Sequence, residues 1–480
     1  MENLNEEEKV LQKIGKKISK EKNDNIIYTS FLETEKYILE EVQVTTHTTY
    51  TTYTTDIQFL SYTKKSGSTE LLHVYQEGEK EFRPIIDKLL DNKVILLPSG
   101  IEEYTDNKTL IEDISKFLYT YFEVSPFFEK FLPYLVLFYW VYERFPFVPY
   151  IHFVGLTGTG KTTAEEVLGS ICYKPIDASG SITMSPIFRT ASLWKGTLLL
   201  DEFEPDGESY KEMLAFLKSG VSNKAVLRTE GENKREVMAY MIKCPKIFTS
   251  ENPINNAGLQ SRTIMIQMEK NKKRIPLYRL GSFLSDAQKL RNKLLLWRFR
   301  NLNNINLNEI EFGYKELENF DRRVQQVITP IYYLSDESTR LEIVKFAKVQ
   351  EEETQKERLE SLDGQVFQII VDNYPTQSTL KQITEVINRE RNKSRLITER
   401  KIGSIVRKIL GFEIQRLGDE NVSTIILDNK EDRLKELCLY FGIPVERVVS
   451  VVSVGYTISE PSEAQNDTTH KIVDWNDTTL

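Results

Sequence analysis

The 480-residue chain is 40% hydrophobic and 28% charged, with a formal net charge of −8. A chain of this length has room for roughly two to four domains with substantial cores, and its acidic balance excludes a global basic field, so any nucleic-acid contact has to come from local patches. Three cysteines without CxxC spacing and only four histidines argue against a disulfide scaffold or a zinc site, and for free thiols in a reducing compartment.

The opening segment, MENLNEEEKVLQKIGKKISKEK, is charged and lacks the apolar centre of a secretory signal. Residues 1–125 predict an α+β region without a nameable motif. KYILEEVQV and KVILLP have the β-branched character of strands. The tract TTHTTYTTYTTD at 45–56 is β-prone and predicts an exposed strand or loop, in which Tyr50 and Tyr53 have faces that could stack on bases. The most apolar run, FLPYLVLFYWVY at 131–142, lies between Lys130 and Glu143 and is too short to span a bilayer. It predicts a buried helix in a cytoplasmic protein without a membrane partner.

Residues 126–275 carry the chemistry. YIHFVG reads as a buried strand, and it runs into Gly155, four residues, then Gly160-Lys161-Thr162. In this G-x-x-x-x-G-K-T spacing the loop residues Thr157, Gly158, Thr159 and Gly160 turn backbone N–H groups toward phosphates. Lys161 reaches the β- and γ-phosphates of a nucleotide, and the Thr162 hydroxyl ligates Mg²⁺. Thr163 follows in a helix whose N-terminal dipole adds positive potential. WKGTLLLDEFE predicts a second buried strand, ending in Asp201-Glu202 forty residues beyond Lys161. Asp201 suits the Mg²⁺ shell, and Glu202 suits the orientation and deprotonation of an attacking water. The pair points to an enzyme that hydrolyses ATP. CPKIFTSENP predicts a third strand with a polar tip, where Ser250 or, preferred, Asn252 would sense the γ-phosphate. Arg262, in GLQSRTIMIQM, stands just before another strand and suits an arginine finger given to a neighbour's nucleotide.

This order of motifs resembles superfamily 3 helicases and related AAA+-type ATPases of viruses, plasmids and other mobile elements. The resemblance extends through FLKSGVSNKAVLRTEGENKREVMAYMIKCPKIFTSENP, residues 216–253. It implies a basic hairpin projecting into a ring channel, with Lys224, Arg228, Lys234 and Arg235 as the candidate cations. The family usually has Thr-Asn or Ser-Asn at the sensor, whereas here Glu251 interrupts the pattern. FLPYLVLFYWVYERFPFVPYIHFVG, SPIFR and LQSRTIMIQM also resemble the ATPase cores of primase-helicase-like proteins, over residues 126–270. No primase module is visible in residues 1–125.

Residues 276–360 are helical in pattern and end in a charged stretch suited to a linker. Residues 361–430 predict helix, turn, helix, basic loop, helix and two short strands, an order that resembles a winged helix. Its third helix would start at the Thr398 cap, carry a core stripe of Ile402, Ile405, Val406 and Ile409, and close at Gly411. Nine Lys/Arg against three Glu over 389–416 make a local footprint for phosphate contact, with Arg395, Arg400, Lys401 and Arg407 as the leading candidates. Residues 431–480 predict a short helix and a polar, disordered tail. The whole implies an α/β P-loop NTPase core of AAA+ type with an α+β N-terminal region, a helical linker and a C-terminal winged helix. The expected activity is that of an ATP- and Mg²⁺-dependent DNA helicase or translocase serving DNA replication of a mobile element or its host. Such a motor would be a homo-oligomer, a hexameric ring, with single-stranded DNA in its channel and duplex at the winged helix. The alternative is an ATP-controlled DNA-binding regulator or initiator that separates no strands.

Overall fold

The computed structural model describes residues 25–47, 53–177, 184–202, 207–230, 236–254, 256–389, 391, 396–417 and 421–448. Tyr50, Lys234, Arg235, Arg395 and the C-terminal tail lie outside the described residues. The chain divides into two compact units, Met1–Val349 and Gln350–Leu480.

The first unit begins with seven strands: β1 (Ile26–Tyr28), β2 (Phe31–Glu33), β3 (Tyr37–His47), β4 (Tyr53–Thr63), β5 (Thr69–Leu72), β6 (Tyr75–Glu77) and β7 (Lys80–Arg83). β2 to β5 form an antiparallel meander, and β1 joins β7 and β6 in a smaller sheet. KYILEEVQV is a strand, as expected. KVILLP is not: Ile95 makes a single bridge to Ile176, flanked by the Asp177 N–H to Val94 carbonyl bond at 2.8 Å. The strand it would extend has only two residues, and Pro98 has no N–H to donate, so a ladder cannot grow.

At the centre is an all-parallel sheet of five strands, β8 (Tyr150–Val154), β9 (Ile176–Asp177), β10 (Leu198–Leu200), β13 (Lys246–Ser250) and β14 (Thr263–Gln267), in the spatial order β14-β8-β13-β10-β9. β8, β10 and β13 are buried along their whole length, which is why they read as unbroken apolar runs and not as alternating ones. Between β10 and β13 the chain forms an antiparallel hairpin of β11 (Ala225–Glu230) and β12 (Glu236–Met241). The apolar run near residue 135 is the buried helix Pro126–Tyr139. Among the described residues no helix is long and apolar enough to cross a membrane.

The boundaries expected at 125 and 275 separate no cores. One buried cluster runs from Ile38 and Leu60 in the meander, through the central sheet, to Ile343 and Ala347. A buried ion network fastens the meander to this core. Glu40 of β3 and Arg298 of the helix Gly281–Asn301 are 1% and 0% exposed. Arg298 Nε donates to Glu40 at 2.6 Å, and Lys174 Nζ reaches the other Glu40 oxygen at 2.9 Å. Arg298 also donates to Glu143 and to the Trp140 carbonyl.

In the second unit the helices Leu362–Asn373, Leu380–Asn388 and Glu399–Ile405 precede an antiparallel ribbon of β15 (Glu413–Leu417) and β16 (Val422–Ile426). Thr398 caps the third helix by accepting from the Lys401 N–H, and Gly411 ends it in the left-handed region at φ 79°. The stripe differs from expectation at one place: Ile409 is 48% exposed and Leu410 is buried. Val406–Leu410 forms a π turn, and its wider winding brings the next residue onto the core face. The helix Glu431–Phe441, expected outside this domain, buries Leu434, Leu437 and Phe441 in the same core.

Arg298→Ala removes one of the partners of the buried Glu40 carboxylate and takes away the ion pair with Glu143. It should lower the stability of the first unit by about 3–5 kcal/mol, measured by chemical denaturation.

Candidate functional site

The C-terminal tips of β8, β13 and β10 lie side by side because these strands are adjacent and parallel. Beyond β8 the chain turns through Gly155–Gly160 into the helix Lys161–Ser170. Gly158 and Gly160 hold φ of 82° and 87°, where a side chain would be strained. Gly155 is required for another reason: a Cβ there would lie 2.6 Å from the Met268 carbonyl oxygen. Lys161 Nζ spans the loop and donates to the carbonyls of Gly155 at 2.6 Å and Leu156 at 3.0 Å. Thr159 Oγ1 donates to the Leu156 carbonyl at 2.8 Å.

Asp201 follows β10. One of its oxygens, Oδ1, accepts from Thr162 Oγ1 at 3.0 Å and from Thr249 Oγ1 at 2.7 Å. Thr249 in turn accepts from the Glu202 N–H at 2.9 Å. Glu202 has φ 50° and an exposed side chain. The residue at the sensor-strand tip that meets Asp201 is thus Thr249, which the sequence had not singled out. Ser250 instead bonds His152 Nε2 at 2.6 Å and the Asn252 carbonyl at 2.5 Å, and Asn252 itself is exposed. Glu251 accepts from the Thr157 hydroxyl on the loop. β13 is buried on both faces, so no polar–apolar alternation marked which tip residue faces Asp201.

Thr162 and Asp201 bring hard oxygen donors together, a donor set that suits Mg²⁺. Among the described residues no group of three or more His, Cys, Asp or Glu could hold a metal by itself, so phosphate and water oxygens would have to complete such a shell. Behind Asp201, Glu165 is buried, and burial together with the Asp201 charge pushes its carboxyl well above the usual range.

Arg262 stands at the other edge of the sheet. Thr263 pairs with Tyr150 at the start of β8, and Gln267 with Val154 at its end. Five strand residues, about 17 Å, therefore separate Arg262 from its own loop. Its guanidinium donates to the Gly258 carbonyl, and burial and the nearby Arg323 lower its pKa.

On the hairpin, Lys224 is exposed. Arg228 is not a free channel cation: it pairs with Glu212 at 2.6 Å and lies 4.4 Å over the Phe188 ring. Strand alternation turns Arg228 inward and leaves Leu227, Val237 and Met241 exposed on the outer face. In the second unit Arg400, Lys401 and Arg407 are exposed along the third helix.

A glycine-turned loop entering a helix at the C-terminal edge of a parallel sheet, beside an acid-tipped strand, is consistent with a P-loop core in a mixed α/β fold. No family model matches the chain, and no curated protein does. Similar solved structures include the SCCmec type IV Cch active helicase, 13% identical over 91% of this chain and 85% of that chain, with a TM-score of 0.40. The apo C-terminal region of NrS-1 is 12% identical over 77% of this chain and 93% of that one, with a TM-score of 0.34. A full-length MCM homolog from Methanopyrus kandleri is 11% identical over 67% and 76%, with a TM-score of 0.33. None of these reaches 0.5, and the chemistry of the site rests on its own residues.

Burial holds His152, beneath the loop, down at about 4. With the folded value below the unfolded one of about 6.5, the unfolded state binds the proton more readily, so stability should fall as pH drops from about 6.5 toward 4. His152→Gln should lose less over that window, by at most about 3 kcal/mol, in denaturation curves taken across it.

Proposed function

We propose that this protein is an ATP-hydrolysing motor that acts on DNA, a ring helicase or translocase. The observation that carries the reading is the meeting of Thr162, Asp201 and Thr249 beneath the glycine loop. Loop amides and Lys161 hold the β- and γ-phosphates. Mg²⁺, when bound by Thr162 and Asp201, neutralises phosphate charge. Glu202 orients the attacking water and takes its proton. Thr249 ties the Asp201 carboxylate to the Glu202 main chain, so a shift of the phosphates is transmitted to the tip of β13. Arg262, a strand's length from its own loop, completes the site of the next subunit, which makes hydrolysis depend on a closed homo-oligomer, a hexamer in the expected case. Lys224 contacts single-stranded DNA in the channel. Arg400, Lys401 and Arg407, with Arg395, place duplex on a domain of winged-helix type, and the cellular task is DNA replication of a mobile element or its host.

The second reading is an ATP-controlled DNA-binding regulator. It is favoured by the inward turn of Arg228 and the apolar outer face of the hairpin, which leave fewer cations for pulling a strand. Strand separation on a forked duplex distinguishes the two: the motor separates strands with ATP, and the regulator shows only ATP-dependent binding.

Arg262→Ala should reduce hydrolysis by about 10³-fold or more, and mixing with Lys161→Ala should restore part of it, since mixed rings contain interfaces with both groups intact. No recovery on mixing would contradict a finger acting between subunits. Thr249→Val should slow hydrolysis roughly 10- to 100-fold with little change in ATP affinity, whereas Asn252→Ala should stay near wild type, both read from steady-state kinetics.

A further inference from the structure

Glu251 stands where the chain leaves β13. The ladder between β13 and β8 ends with Ser250 opposite Val154, and the next amide, the Gly155 N–H, still donates to the Ser250 carbonyl at 3.3 Å. Strand and phosphate loop therefore part at the same level, and the Glu251 side chain bridges them. Its Oε1 accepts from the Thr157 hydroxyl. Both residues are exposed, so a bound molecule can reach the pair.

Thr157 lies at the end of the loop that meets terminal phosphates. In a loop of this kind the lysine ammonium reaches the β- and γ-phosphates. Here Lys161 Nζ is 2.6 Å from the Gly155 carbonyl oxygen and 3.0 Å from that of Leu156, and Thr157 is the next residue. The ammonium and the hydroxyl thus share one end of the loop, and Glu251 adds a carboxylate to them. A terminal phosphate offers Thr157 an acceptor of the same kind as that carboxylate, and like charges at close range repel. Carboxylate and γ-phosphate therefore compete for one hydroxyl. A diphosphate, one group shorter, disturbs the pair less.

Resting on the nucleotide reading above, we propose that the Glu251–Thr157 pair is a gate for the terminal phosphate. With the site empty or holding a diphosphate, Glu251 keeps the Thr157 hydroxyl. A triphosphate takes that hydroxyl and displaces the carboxylate from the loop. Glu251 follows Thr249 by two residues, and Thr249 donates to Asp201 at 2.7 Å, so the displacement reaches the strand end that holds Asp201. Glu251 is a positioning residue in this account and takes no proton from the reaction. Hydrolysis requires bound phosphates, Mg²⁺ and a base; this assignment concerns how the tip of β13 registers the third phosphate.

The test titrates the full chain and its variants, with Mg²⁺ present, against ADP and the β,γ-imido analogue of ATP by calorimetry. Glu251→Gln keeps an oxygen acceptor for Thr157 and removes the charge. It should tighten the analogue about tenfold relative to ADP, and Glu251→Ala should move the ratio in the same direction. Lys161→Ala should weaken both nucleotides. A pair that only braces the loop would leave the ratio of Glu251→Gln at its wild-type value and would weaken both nucleotides alike in Glu251→Ala. Either result would overturn the gate, as would a Glu251→Gln protein that binds neither nucleotide while wild type binds both. A wild type that binds neither would refute the nucleotide reading itself, and the gate with it.

Discussion

Asp201 Oδ1 accepts hydrogen bonds from two hydroxyls, Thr162 on the phosphate-loop helix and Thr249 on the neighbouring strand. The arrangement depends on that shared oxygen. It exists because β8, β13 and β10 are parallel and adjacent, so that three segments far apart in the chain end at the same edge. Parallel pairing also explains why β8, β10 and β13 are covered on both faces and why Thr162, Asp201 and Thr249 meet at strand ends. The same pairing sets Arg262, just before β14, a strand's length from the loop that follows β8.

The Glu40–Arg298 network gives the N-terminal meander a second kind of dependence on the core. Arg298 gathers Glu40, Glu143 and the Trp140 carbonyl, and Lys174 and Tyr173 take the remaining Glu40 capacity. A buried charge is tolerated when its partners satisfy it in this way. The described part of residues 25–125 therefore shares one core with the phosphate loop, and a displacement of the helix Gly281–Asn301 would be felt in β3.

The phosphate loop and the acidic strand were legible because their chemistry constrains residue type at each position: glycine where φ is positive, lysine at the helix start, a carboxylate beyond a buried strand. Thr249 was not legible, because adjacent hydroxyls at 249 and 250 are both buried and only the fold shows which faces Asp201. KVILLP has the composition of a strand but lacks a partner long enough to pair with it. Ile409 and Leu410 exchange places because a π turn is set by packing and not by spacing. Arg228 was expected to project and instead turns toward Glu212, since strand alternation decides the face and a single charge does not. The boundaries at 125 and 275 enclosed the stretch that carries the motifs, whereas the core is continuous across them. In the second unit the helix–helix–helix–ribbon order was readable from caps, apolar stripes and the turn between two short strands.

The measurement that bears most directly on the account is ATP hydrolysis with and without single-stranded DNA, at low and moderate salt, beside Glu202→Gln. The account predicts hydrolysis that DNA stimulates strongly, less so as salt rises, and that Glu202→Gln reduces by about 10²- to 10⁴-fold. Hydrolysis indifferent to DNA, or unchanged in Glu202→Gln, would contradict it.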